Sequence, residues 1–196
     1  KQLRKALTDN TKAYYYYNLT SLMGDIPLSE AVKATEGSLQ PKYDTQKEVF
    51  LQILTWLEQA NTEFATLQAG TDLLKGDIFY ESNYGKWRKL VNSYKLRILI
   101  ALSKKEADAE LKIKQRFAET IGSASNFPIF QSAADNFTYR YISNVNNYPT
   151  TPVSFGFDAL RYNMAETYVK NATDIKDPRI LVTCEPAWKL VNDNGW

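Results

Sequence analysis

A chain of 196 residues, 44% of them apolar, carries enough nonpolar surface to bury one good core, and its length leaves one or two domains open. Its 24 lysines and arginines against 22 acidic residues leave a net charge of +2, too weak a field to point to nucleic acid or an anionic membrane surface as the main partner. A single cysteine, Cys184, excludes an intramolecular disulfide, and the absence of histidine removes nearly all structural zinc schemes and an imidazole-activated thiolate. No cofactor or metal is expected. No stretch approaches the roughly 18–20 apolar residues of a membrane-spanning helix, the longest candidate being Leu96 to Leu102, with Arg97 and Lys104 breaking and flanking it. The sequence also starts without a charged n-region and apolar h-region, which reads as a cytoplasmic protein or one whose start has been removed.

Leu3 to Met23 is expected to be helical, and four consecutive tyrosines, Tyr14 to Tyr17, cover most of its circumference at about 100° per residue, as in a helix packed on several sides. Gly24-Asp25-Ile26-Pro27 ends it: glycine suits a left-handed cap and proline forces Ile26 out of the helical region. A loop then runs through Pro41. Thr45 and Glu48 form a T-x-x-E capping box, after which Val49, Phe50, Ile53, Leu54, Leu57, Ala60, Phe64 and Leu67 step by three and four towards Gly70.

Beyond a short connection from Asp77 to Gly85, Trp87, Leu90, Val91, Tyr94, Ile98, Ala101 and Leu102 form a second stripe, and Leu96, Leu99 and Ile100 give it a second apolar side, which suits a central helix. Trp56 and Trp87 fall in these stripes and read as packing. A third, more polar stripe, Ala107, Leu111, Lys114, Phe117, Ala118 and Ile121, stops at Gly122. From Ser123 to Phe157 periodicity disappears, leaving one alternating run, Phe137, Tyr139, Tyr141, compatible with a short strand. A fourth helix is expected over about Asp158 to Asn171, and a β-like run over Ile180 to Cys184, where the cysteine reads as a small buried residue. No sequence repeat occurs at the 34-residue tetratricopeptide period. The organisation is therefore a helical part over 1–122, an irregular segment over 123–157 and a helix plus extended tail over 158–196.

The segment Gly24-Asp25-Ile26-Pro27-Leu28-Ser29-Glu30-Ala31, followed by Pro41, Tyr43 and Asp44, resembles the G-D-I-P-Y-S-E-A signature of SusD/RagB proteins. Gly76-Asp77-Ile78-Phe79-Tyr80, Lys86-Trp87, and Asn92-Ser93-Tyr94-Lys95-Leu96-Arg97 are similar to the family's G-D-x-x-Y, K-W and N-S-L-K-L-R block, and Asp177-Pro178-Arg179 resembles its D-P-R. Leu28 and Tyr94 depart from the usual aromatic and leucine. The resemblance implies one mainly α SusD-like domain of tetratricopeptide-like helix pairs, an α-α superhelix with irregular loops and short strands, here incomplete at both ends. It implies a surface protein of Bacteroidetes, anchored in the outer membrane by a lipid that this chain lacks. Its partners would be a SusC-like TonB-dependent transporter barrel, which it serves as lid, and an oligosaccharide or peptide ligand, glycan being the commoner cargo.

The signature residues Gly24, Asp25, Pro27, Asp44, Trp87, Asn92, Arg97, Asp177, Pro178 and Arg179 read as structural: Asp25 as an acceptor of backbone amides, Asp44 or Thr45 as a helix cap, Pro27 as a stiff exit. Arg97, inside an apolar helix, is expected to pair with a carboxylate such as Asp25 or Asp77. Asp25 with Glu30, or Asp77 with Glu81, has the composition of a glycosidase pair, but carboxylates this common do not make one, and no G-x-S-x-G elbow or phosphate loop is present, so no catalytic residue is assigned. Tyr139, Tyr141, Tyr148, Trp188 and Trp196, all outside the periodic helices, are the candidate ligand contacts, because rigid rings offer flat apolar faces with polar edges. Core is the more ordinary reading of each of the five. A purely protein-binding helical adaptor shares every one of these features, and an exposed aromatic cleft is what separates the two readings.

Overall fold

Helix formation starts where the local chemistry satisfies the free amides. The computed structural model describes residues 2–37, 39–71, 73–142, 144–149 and 164–183. Four helices lie in the first 122 residues: α1 (Gln2–Met23), α2 (Gln46–Ala69), α3 (Tyr84–Ala101) and α4 (Ile113–Gly122). Thr45 caps α2 by accepting from the Glu48 amide at 3.3 Å, while the Glu48 carboxylate accepts from the Thr45 amide at 2.8 Å, so the reciprocal capping box read from the sequence forms in full. Asn83 caps α3 through its side chain, which accepts from the Lys86 amide at 3.0 Å. The chain divides into two compact units, residues 1–139 and 140–196.

In the first unit α2, not α3, is the central element. It packs against α1 on one side and α3 on the other, so its buried stripe is wide: Val49, Ile53, Leu54, Leu57, Ala60 and Phe64 are all fully buried. Each large side chain among them contributes about 1.5–3 kcal/mol on leaving water. Phe64 lies stacked on Trp87 of α3, with ring centroids 5.7 Å apart and planes 14° from parallel, and Trp87 is buried. Trp56 is half-buried on the opposite side, 5.4 Å from Tyr16.

The four-tyrosine helix is not enclosed. α1 meets α2 through small residues seven apart, Ala6, Ala13 and Thr20, all fully buried, and this close approach leaves the bulk of the aromatic run outside the seam. Tyr16 and Tyr17 are half-buried, whereas Tyr14 and Tyr15 are 51% and 65% exposed.

Between α1 and α2 the chain turns at Gly24, whose φ of +81° is the left-handed conformation expected of it. Ile26 and Asp44 then exchange both backbone hydrogen bonds, at 3.2 and 3.1 Å, which closes the base of the loop. The Asp44 carboxylate reaches across to the amides of Leu28 and Ser29, at 2.9 and 2.7 Å, and to the Ser29 hydroxyl. Asp25 accepts from the Gln46 amide at 2.8 Å, tying the end of α1 to the start of α2. Pro27 continues this loop, half-buried.

Several local expectations give way to longer-range contacts. α4 starts at Ile113 and not near Ala107, because Asp108 accepts from the Glu110 and Leu111 amides in a tight turn and Lys112 adopts a left-handed φ of 48°. The run Phe137, Tyr139, Tyr141 is irregular backbone and not a strand. The nearest β contact is the isolated Ile142–Asn146 bridge. In the second unit a helix, α5 (Glu166–Asp174), is preceded by extended backbone at Ala165, and the earlier part of the expected helix lies outside the described residues. Ile180–Thr183 is a helical turn, α6, not a β run: Asp177 accepts from the Arg179 amide at 3.0 Å and grips its guanidinium, which seeds a turn that β-branched propensity alone argues against. Cys184 lies outside the described residues.

Candidate ligand-binding groove

The outer faces of α1 and α3 enclose a groove of about 480 Å³. On α1, Asn10 with Tyr14 and Thr11 with Tyr15 are four residues apart, one turn above another on a single face. On α3, Leu90, Tyr94 and Arg97 follow at steps of four and three, also along a single face. Phe79 and Phe137 complete the lining from two non-helical segments.

Those two segments are held by polar contacts. Gly76, at φ +81°, turns the chain into Asp77, whose carboxylate accepts from the amides of Phe79, Tyr80 and Ser82 at 2.9–3.1 Å and from the Trp87 indole at 2.9 Å. Burial pushes the Asp77 carboxyl up, but the indole and the three amides outweigh it and hold it below the usual carboxylate range. Asp77 thereby fixes Phe79.

Phe137 is positioned from α3. Asn92, buried on that helix, donates to the Pro128 carbonyl at 3.0 Å and to Asn61 on α2 at 2.9 Å; Arg88 donates to the carbonyls of Ser125 and Asn126; the Ser93 hydroxyl accepts from the Phe130 amide. Further along, Lys89 binds the Asp135 carboxylate at 2.8 Å, which together with the Gln131 amide holds that carboxyl low, and Tyr80 donates to the Asp135 carbonyl. Burial, with Asp135 and Asp77 nearby, pushes the Tyr80 phenol up to about 12, so it stays a donor. The anchored segment lays Phe137 on Phe79 with centroids 4.1 Å apart.

The rings of the lining fall into two groups, the stacked Phe79 and Phe137 and a set of tyrosines. Tyr14 lies 5.4 Å from Tyr15 and 5.8 Å from Tyr94, and Tyr94 lies 5.8 Å from Tyr17. Burial, with Tyr17 next, raises the Tyr94 phenol well above its ordinary value, which keeps it neutral. Tyr14 and Phe137 present about half of their surface to solvent and Tyr15 about two thirds, so the groove offers exposed rings.

Arg97 does not pair with Asp25, which accepts from the Gln46 amide, or with Asp77, both of whose oxygens accept from amides or the indole; it is exposed and makes no ion pair among the described residues. The buried cation of α3 is Lys95, bound to Glu58 at 2.9 Å and 4.9 Å from the Phe127 ring centroid, with Arg116 of α4 on the same Glu58 oxygen. Residue type alone did not separate the two: positions two apart on a helix point roughly 200° from each other.

Of the candidate ligand contacts, Tyr139 is about half exposed, 6.3 Å from Phe79 at the edge of the first unit. Tyr141 and Tyr148 belong to the second unit, edge to face at 4.9 Å and both exposed. Trp188 and Trp196 lie outside the described residues. Among the signature positions, Gly24, Asp25, Pro27 and Asp44 build the α1–α2 loop, and Trp87 and Asn92 face inward from α3. Asp177, with Arg179 clasped to its carboxylate, is held at about 2, and Pro178 starts the turn through its carbonyl, which accepts from the Leu181 amide. Tyr14 and Tyr15 read from sequence as core in preference to sugar-stacking rings, and Phe79, Tyr94 and Phe137 carry no ligand expectation there. The signal for the first two was present: small residues seven apart on α1 mark its buried seam and leave those tyrosines off it.

The chain matches, over residues 1–195, the SusD-like family described as starch-binding and associating with the outer membrane. Among solved structures it is similar to a SusD homologue from Bacteroides fragilis, at 32% identity and a TM-score of 0.85, covering 100% of this chain and 39% of that one. A second, from Bacteroides vulgatus, described as a putative outer membrane protein involved in nutrient binding, gives 33% identity and a TM-score of 0.73 over 89% of this chain and 37% of that one. A chitin-binding protein gives 26% identity and a TM-score of 0.65, over 89% of this chain and 35% of its own. No curated protein is matched. The chain thus spans about two fifths of the length of these solved relatives. With a match along nearly all its residues and the same helical fold, it belongs to the SusD-like family of outer-membrane-associated nutrient-binding proteins.

Proposed function

We propose that this chain is the helical part of a cell-surface protein that captures oligosaccharide and delivers it, as the lid subunit, to a SusC-like TonB-dependent transporter. The carrying observation is the groove of exposed aromatic faces between α1 and α3 in a member of a starch-binding family. Pyranose rings present C–H faces that pack on such rings, with hydroxyls left for polar edges like those of Asn10 and Thr11. Similarity to a chitin-binding protein supports a glycan over a peptide cargo. Binding without turnover fits a family described by binding. Tyr139, beside Phe79, extends the proposed ring surface, and Tyr141, Tyr148, Trp188 and Trp196 stand as proposed ligand contacts in their own right.

The test is affinity isolation of the full-length protein from solubilised outer membranes, with mass spectrometry of partners and bound material. A copurifying barrel with oligosaccharide is the expected result. Peptide in place of oligosaccharide keeps the lid role and moves the cargo, and isolation without any barrel overturns the lid role. Tyr15→Ala should weaken oligosaccharide binding severalfold at unchanged circular dichroism, because the ring lies outside the α1–α2 seam.

A further inference from the structure

The groove that carries the proposed function has an unbalanced charge. Its nine described lining residues comprise five aromatic rings, Leu90, Asn10, Thr11 and a single ionised side chain, Arg97. No carboxylate is among the described residues that line it. Every other basic side chain of α3 is engaged: Lys86 with the Ala134 carbonyl, Arg88 with Asn61, Gln68 and two carbonyls, Lys89 with Asp135, and Lys95 with Glu58. Arg97 alone on that helix has no ion pair or hydrogen bond among the described residues, although the carboxylates of Asp25 and Asp77 have the composition to serve it; both are committed elsewhere.

A guanidinium is a planar fork that binds a carboxylate through two parallel charge-assisted hydrogen bonds, which an uncharged hydroxyl cannot match. Here that fork stands beside ring faces suited to a pyranose. We infer that the α1–α3 groove is a subsite for a carboxylated sugar, a uronate residue whose carboxylate binds Arg97 while its ring face lies on the tyrosine and phenylalanine surface. This inference rests on the reading of the chain as a glycan-capture protein, and narrows its cargo to acidic oligosaccharides.

The experiment measures binding of the full-length protein to a panel of uronate oligosaccharides, the same oligomers methyl-esterified, neutral glucan and chitin oligomers, and peptides with free C-termini. The acidic oligomers should bind at least tenfold more tightly than their esters, and that preference should shrink as salt is raised. Arg97→Gln should abolish the preference and Arg97→Lys should restore part of it, with circular dichroism unchanged in both because Arg97 is exposed. Equal binding of acid and ester, a preference that survives Arg97→Gln, or binding of neutral oligomers alone overturns the inference while the glycan reading stands. Arg97-dependent binding of peptides in place of sugars overturns the inference and moves the cargo, and binding of nothing in the panel overturns both readings.

Discussion

Asp44 and Asp77 perform the same work ahead of two successive helices. Asp44, next to the cap Thr45, gathers the Leu28 and Ser29 amides from across its loop, and Asp77, ahead of the cap Asn83, gathers the Phe79, Tyr80 and Ser82 amides that follow it. Both carboxyls are held below their ordinary values. The Ser29 amide and hydroxyl lead the effect on Asp44, while at Asp77 burial opposes it and is outweighed by Trp87 and the amides. A folded value below the unfolded one, roughly 3.9, means that the stabilisation is present above that pH and is lost as the pH falls through the lower folded value. Asp77→Asn should therefore destabilise the protein at neutral pH by about 1–2 kcal/mol, a figure reduced from that of four charge-assisted bonds because the site is partly hydrated. The same variant should unfold less steeply than the parent on acidification below about pH 4. Urea denaturation followed across pH 2–7 checks both. Thr45→Ala should cost about 1 kcal/mol through loss of the capping box, read from the urea midpoint at neutral pH.

At the scale of elements, α3 matters as a clamp as much as a packing helix. One side stacks Trp87 on Phe64, while Arg88, Lys89, Asn92 and Ser93 seize the segment from Ser125 to Asp135 and thereby place Phe137. Asn92→Ala removes two buried hydrogen bonds and leaves the Pro128 carbonyl without a donor, a loss of about 2 kcal/mol. Hydrogen exchange in such a variant should rise over 125–137 while the amides of α2 stay protected. Here lies the boundary of what the sequence disclosed. α1, α2 and α3 were legible because caps and three-and-four spacing are local signals. The course of the segment after Ser123 was not, because its partners on α2 and α3 are 36 to 65 residues away and their polar side chains have no periodicity. α6 was misread for the opposite reason: β-branched residues argue for a strand, and the Asp177–Arg179 clasp that overrides them is a matter of geometry. The groove was hidden because it needs α1 and α3 side by side, which only the α2 packing decides.

At the scale of the whole molecule, the hydrophobic core of the described residues runs from Ala6 to Ile113, with Phe117 packed against it, inside the first compact unit. Residues 1–139 should accordingly fold alone, with cooperative thermal unfolding and the near-ultraviolet dichroism of a fixed Phe64–Trp87 stack. Non-cooperative melting, or a flat near-ultraviolet spectrum, would count against that. The family match, by contrast, runs through both units, so lid function and cargo are properties to be tested on the full-length protein.

The tyrosine run on α1 also makes the protein its own optical gauge. Tyr16 lies 5.4 Å from Trp56 across the α1–α2 seam, and Tyr14 and Tyr17 are each 5.8 Å from Tyr94. Excitation absorbed by Tyr16 is expected to pass to Trp56, a short relay across that seam, so the docked helix should give tryptophan-like emission from this pair. Lifting α1 from α2 would break the relay and unmask tyrosine emission, giving an unlabelled signal for the movement of one helix while the rest of the fold stays in place.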